Sequence, residues 1–137
     1  MRTCREQHDA LRFLLEKLPA AAPVEPADAA KLLARLSAVL LAHLKLEDDQ
    51  LYPALARSSD RTVRETALHY REEMGGLKQS FDAFMSAWGS AEQISADQDD
   101  FIAAWSAVRS VLEIRMAKED HGLYSIAEDY FSGQESA

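Results

Sequence analysis

The chain carries a single cysteine, Cys4, in 137 residues. An intramolecular disulfide is excluded, and a reducing compartment fits. A thiol near a helix start can be reactive, but an incidental residue is the simpler reading. Glycine and proline are scarce, five and four, and they cluster rather than spread, which favours helices. No stretch approaches the ~20 apolar residues that span a bilayer. The opening MRTCREQHDALRF has no apolar run before charge returns, so it is not a signal peptide, and a soluble cytoplasmic protein is expected. Basic residues are outnumbered, 15 against 23 acidic, for a net charge of −8. That balance excludes a nucleic-acid groove, which needs a basic surface. No Gly-rich phosphate loop, nucleophile–base arrangement or Cys–His pair stands out, which argues against a hydrolytic enzyme.

What is present is leucine and alanine at helical spacing. Apolar residues make up 47% of the chain, enough for one domain with one core. Thr3 to Glu6 fits a capping box, and His8, Leu11, Leu15 and Leu18 follow on one face of a first helix ended by Pro19. Residues 20–26 read as a loop, with Pro26 suited to the first turn of a second helix. That helix runs to about Arg57 on the stripe Leu32, Leu33, Leu36, Leu40, His43, Glu47, Leu51, Leu55, with Pro53 kinking it or ending its regular part. Ser58-Ser59-Asp60 is a tight connection, with Ser59 or Asp60 as N-cap of an antiparallel third helix. The third helix carries Val63, Ala67, Tyr70, Met74, Leu77, Phe81, Phe84 and Trp88. Gly75-Gly76 inside it costs roughly 1 kcal/mol per Gly relative to Ala, as room for close approach or a site, or as a tolerated weakness. Gly89 suits the left-handed position after that helix, and Ser95 to Gln98 matches a second capping box. The fourth helix carries Phe101, Trp105, Val108, Leu112, Arg115, Glu119, Leu123 and Ile126, with Gly122 loosening its last turns and a frayed tail from about residue 131. The expected architecture is all-α: one domain over residues 1–137, an up-down-up-down antiparallel four-helix bundle.

Two segments interrupt the apolar stripes. HLKLEDDQLYPAL, from His43 to Leu55, is echoed by RMAKEDHGLYSIA, from Arg115 to Ala127. The alignment pairs Glu47 with Glu119, Asp48 with Asp120, Tyr52 with Tyr124, and His43 with Arg115. His8, His43, Glu47, Arg115 and Glu119 thus fall where core residues belong, while His69 and Glu73 lie beside the seam of the third helix. Burying charge is costly unless it is paired or bound to a metal. In an antiparallel bundle these residues converge at one depth. Imidazoles and carboxylates at i, i+4 suit iron, manganese or zinc.

With REQHDALRFLL at the start, HLKLEDDQLYPAL in helix two, a histidine in helix three and KEDHGLY in helix four, nearly the whole chain resembles the hemerythrin-like, or HHE cation-binding, domains. The resemblance implies two iron ions held by histidines from four helices and two bridging carboxylates. By position it assigns His8 and His43 as outer ligands, His69 as the helix-three ligand, and Glu47 and Glu119 as bridges, with Asp120 the alternative on helix four. It implies binding or sensing of oxygen, nitric oxide or peroxide, or iron handling. A sensor without an output domain then needs a homodimer or a separate signalling partner. Two positions depart from the pattern: Arg115 stands where helix four should carry histidine, and Glu73 where oxygen carriers have a second helix-three histidine. Glu73 would make the centre more carboxylate-rich. One ion, another divalent metal, or none are the alternatives. In the metal-free alternative Arg115 salt-bridges Glu47 and Glu119 in a bundle that serves as a protein-interaction or regulatory module.

Overall fold

The computed structural model describes residues 2–18 and 25–136; Pro19, Pro23 and most of the first expected loop lie outside them. Among the described residues every regular element is helical. The helices are α1 (Arg2–Lys17), α2 (Pro26–Leu46), α3 (Tyr52–Ala56), α4 (Arg61–Trp88), α5 (Ala91–Ala96), α6 (Gln98–Lys118) and α7 (Tyr124–Ser136). A π-helical turn, Glu47–Leu51, joins α2 to α3 without a break, and another, Glu119–Leu123, joins α6 to α7.

The start signals explain the boundaries. Glu25 caps α2 by accepting from the N–H groups of Ala27 and Asp28, with Pro26 in the first turn. Asp60 caps α4 by accepting from Thr62 N–H. The second capping box is Ser90 with Gln93, which starts the short α5; Ser95 lies inside that helix and Asp97 caps α6 instead. Gly89 ends α4 in the right-handed region, φ −77°, not the left-handed one. α1 begins at Arg2, so Thr3 is already helical. Pro53 does not end the second helical arm. It sits in the first turn after the π-turn, where its missing N–H is tolerated. Beyond Tyr130 the helix continues to Ser136, because Tyr130 and Phe131 pack on the core.

Two apolar clusters fill the interior. The larger gathers Leu11, Leu15, Leu33, Leu36, Leu40, Phe81, Phe84, Phe101, Trp105 and Leu112 with their neighbours. The smaller contains Cys4, Leu51, Tyr52, Leu55, Val63, Ala67, Leu123, Tyr124 and Ala127. α1 and α6 run in opposite senses: Trp105 Nε1 donates to Leu18 O at 2.9 Å, and His8 meets Asp120. In register, His8 lies between Cys4 and Leu11, His43 and Glu47 between Leu40 and Leu51, and Glu119 between Met116 and Leu123. A polar layer therefore separates the two apolar clusters.

Candidate metal centre

His8, His43, Glu47 and Glu119 are each at most 1% exposed. His8 Nε2 and His43 Nε2 lie 3.1 Å apart. Glu119 Oε1 is 3.3 Å from His8 Nε2 and 3.8 Å from His43 Nε2, and Glu47 Oε1 is 3.3 Å from His43 Nε2. Donors bound about 2.1 Å from one ion stand about 3.0–3.4 Å from one another, and these separations cluster about that range.

The outer nitrogens fix how the rings present themselves. His8 Nδ1 donates to Asp120 Oδ1 at 2.9 Å, and His43 Nδ1 donates to Gln7 Oε1 at 2.8 Å. Each ring therefore turns its Nε2 lone pair inward, the tautomer that a metal needs. Arg12 and Arg5 pair with Asp120 in turn. Partial burial works against that carboxylate, but Arg12 and His8 prevail and hold it below its ordinary value.

At the centre, acceptors outnumber donors. Two imidazole nitrogens and four carboxylate oxygens face one phenolic O–H, that of Tyr124. The hydroxyl lies 3.0 Å from His8 Nε2, 3.1 Å from His43 Nε2 and 3.0 Å from Glu47 Oε2. Glu47 Oε1 and both oxygens of Glu119 have no hydrogen-bond partner among the described residues. Buried acceptors without donors are expensive, and a cation satisfies several at once. Without one, the carboxylates must share a proton. Burial, then the neighbouring Glu119, pushes Glu47 up to about 10. Burial also opposes ionisation of Glu119, but the proton carried by Glu47 favours its charged form, so the pair holds one proton between them and Glu119 stays low. The residues present thus fit a metal ion with mixed nitrogen and oxygen donors.

The π-turns build this arrangement. Each begins at a central carboxylate and contains one residue more than an α-helical turn. In a continuous α-helix the residue five positions on would be rotated roughly 140° away, at about 100° per residue. The wider turn brings Tyr52 and Tyr124 back to the inner face, 3% and 0% exposed. The echo between the two sequence segments is therefore a repeat of local structure.

Other candidates fall elsewhere. His69 is exposed and meets Glu73 at 3.3 Å. Glu73 pairs with Arg115, whose side chain is a quarter exposed. Arg115 does not salt-bridge Glu47 or Glu119, which corrects the metal-free alternative. Its place on the buried line is taken by Met116, because α6 approaches the centre through Leu112, Met116 and Glu119. Asp120 faces His8 and the arginines rather than the centre. Periodicity missed Gln7, Tyr52 and Tyr124. The paired LY dipeptides were the available signal for the tyrosines. Cys4, His43 and Glu47 form a second buried group with donor atoms within 4.8 Å of one another. Burial, then Glu47, pushes the Cys4 thiol up to about 11. A cavity of about 380 Å³ between the first π-turn and α4 abuts Glu47 and Tyr52, with Arg71, Gly75 and Lys78 on its other wall.

The fold and site define a helical protein with a buried histidine–carboxylate cluster that could hold a cation. The model of the hemerythrin HHE cation-binding domain matches residues 1–127, and the chain belongs to that family. Comparison with curated proteins and with solved structures gave no match.

Proposed function

We propose that this chain is a non-haem iron protein whose centre lies among His8, His43, Glu47 and Glu119. In this reading the long helical arms form the up-down bundle of the family. The carrying observation is the excess of buried acceptors: among the described residues three carboxylate oxygens lack partners around a single shared hydroxyl. Iron, when bound, would supply redox chemistry and an affinity for oxygen, nitric oxide or peroxide.

The chain's own residues orient and exclude. Asp120 and Gln7 hold the imidazoles with their lone pairs inward. Glu47 and Glu119 neutralise the cation, whether as bridges between two ions or as ligands of one. The flanking apolar clusters keep bulk water out, and a cavity lies beside Glu47 on the side of α4. With two imidazoles at the centre, the carboxylate-rich donor set favours the ferric state. The role supported best is therefore sensing of oxygen, nitric oxide or peroxide, or iron handling, rather than reversible oxygen carriage. Self-association or a signalling partner would relay a sensed ligand, and cytoplasmic residence fits both roles.

Anaerobic loading with Fe(II), followed by air, should give a protein that retains iron by elemental analysis, absorbs in the near-ultraviolet and melts at a higher temperature than the metal-free form. A spectrum unchanged from that of the metal-free protein, with no shift in melting temperature, would sink the reading.

A further inference from the structure

The tyrosine at the middle of the buried layer has no role in the ligand set assigned so far, yet its oxygen occupies a donor position. Tyr124 Oη stands 3.0 Å from His8 Nε2 and 3.1 Å from His43 Nε2. His8 Nε2 in turn stands 3.3 Å from Glu119 Oε1, and the two imidazole nitrogens are 3.1 Å apart. These are again the separations between donors that share one ion. The hydroxyl has one proton and three acceptors within hydrogen-bond reach, so its hydrogen bonding alone does not explain so crowded a position.

Tyr52 provides the contrast. It holds the equivalent place after the first π-turn and is also buried, but among the described residues its hydroxyl has no hydrogen-bond partner, neither imidazole included. The two arms are therefore unequal. The second lacks an imidazole at Arg115 and places a phenol at the centre instead.

Given the metal centre proposed above, on which this assignment rests, we propose that Tyr124 is a metal ligand. Its phenolate oxygen joins His8, His43 and Glu119 around a ferric ion. On binding, the phenolic O–H bond breaks, an oxygen–iron bond forms and the proton leaves to solvent; no electron moves. A hard anionic oxygen suits ferric iron over softer cations. It also provides the negative charge that a neutral histidine in the other arm would not.

The test uses the full chain loaded with iron and oxidised in air, with iron counted by elemental analysis. Wild-type protein should show a visible phenolate-to-iron charge-transfer band and enhanced tyrosine ring modes in resonance Raman. Tyr124→Phe should lose both, and Tyr52→Phe should keep both. Ring-deuterated tyrosine should shift the enhanced modes in the wild type, a readout that stands even if Tyr124→Phe folds poorly. Iron retained by the wild type without the band, or a band that survives Tyr124→Phe, overturns the Tyr124 assignment alone. Failure of the wild type to retain iron overturns the metal centre itself, and this assignment with it.

Discussion

Asp120 Oδ1 accepts a hydrogen bond from His8 Nδ1 at 2.9 Å, and this one contact decides which nitrogen of His8 faces the buried layer. The carboxylate is anchored by Arg12 and Arg5, so the ring cannot easily turn over. Asp120→Ala should leave helical content by circular dichroism near that of the wild type and weaken metal affinity about 10–100-fold, the usual effect of losing a partner that orients a ligand. Competition with a chelator measures it. Unchanged affinity would show that His8 does not need this partner.

The Glu47–Glu119 pair gives the metal-free protein a distinctive pH dependence. Glu47 in the fold is pushed up to about 10, whereas in the unfolded chain it titrates near the ordinary value for glutamate. Between those limits the native state binds one proton more than the unfolded state. Its contribution to stability is therefore full below about pH 4.5 and is lost as pH rises through the folded value, at a rate on the order of 1 kcal/mol per pH unit. Glu119, held low, acts in the opposite sense and only in acid. Chemical denaturation of metal-free protein should show stability declining from about pH 5 to 9, and Glu47→Gln should flatten that slope. Metal affinity should rise over the same range in the wild type, because the ion displaces the shared proton.

Much of the architecture was legible because the buried stripes are regular. The steps from Val63 to Phe84 follow the buried face of α4 closely, with Tyr70 and Trp88 half-buried. His8, His43, Glu47 and Glu119 were visible as ionisable residues on such stripes, and all four converge. What the pattern did not reveal was the extra residue in each π-turn. Its local sequence, EDDQL or EDHGL, has the same composition as ordinary helix, and widening the turn changes which residues downstream face inward. Tyr124 was hidden for that reason, and Ile126 was placed on the buried line where Ala127 lies. His69 and Arg115 illustrate a second limit. A rotation of a fraction of a turn separates the bundle interior from its edge, and spacing alone does not resolve it.

The glycine pair in α4 is not a point of close packing. A methyl group added at Gly75 or Gly76 would meet nothing within 4 Å. Alanine is favoured over glycine inside a helix by about 0.5–1 kcal/mol. Gly75→Ala and Gly76→Ala should each stabilise the protein by that amount, and the double variant should melt several degrees higher. Gly122 behaves differently, since a methyl group there would lie 2.1 Å from Tyr70 Oη, which donates to Lys118 O across the second π-turn. A drop in melting temperature for the α4 variants would mean that the helix needs those glycines for motion.

Arg115 stands where the sequence echo suggests a ligand, yet the structure ties it to Glu73 at the edge of the bundle. Glu73 also meets His69, so the three form a part-exposed polar chain on α4 and α6. Ion pairs that remain in contact with solvent contribute at most about 1 kcal/mol. If Arg115 were the counter-ion of the buried carboxylates, removing it would strand two charges in the interior, a loss on the order of 3–5 kcal/mol. Arg115→Ala should therefore lower stability by no more than about 1 kcal/mol and leave iron stoichiometry unchanged. Denaturant melts and elemental analysis read the two outcomes separately. A loss several times larger, or a gain in iron binding when the guanidinium is removed, would return Arg115 to the interior and make it a rival of the metal for Glu47 and Glu119.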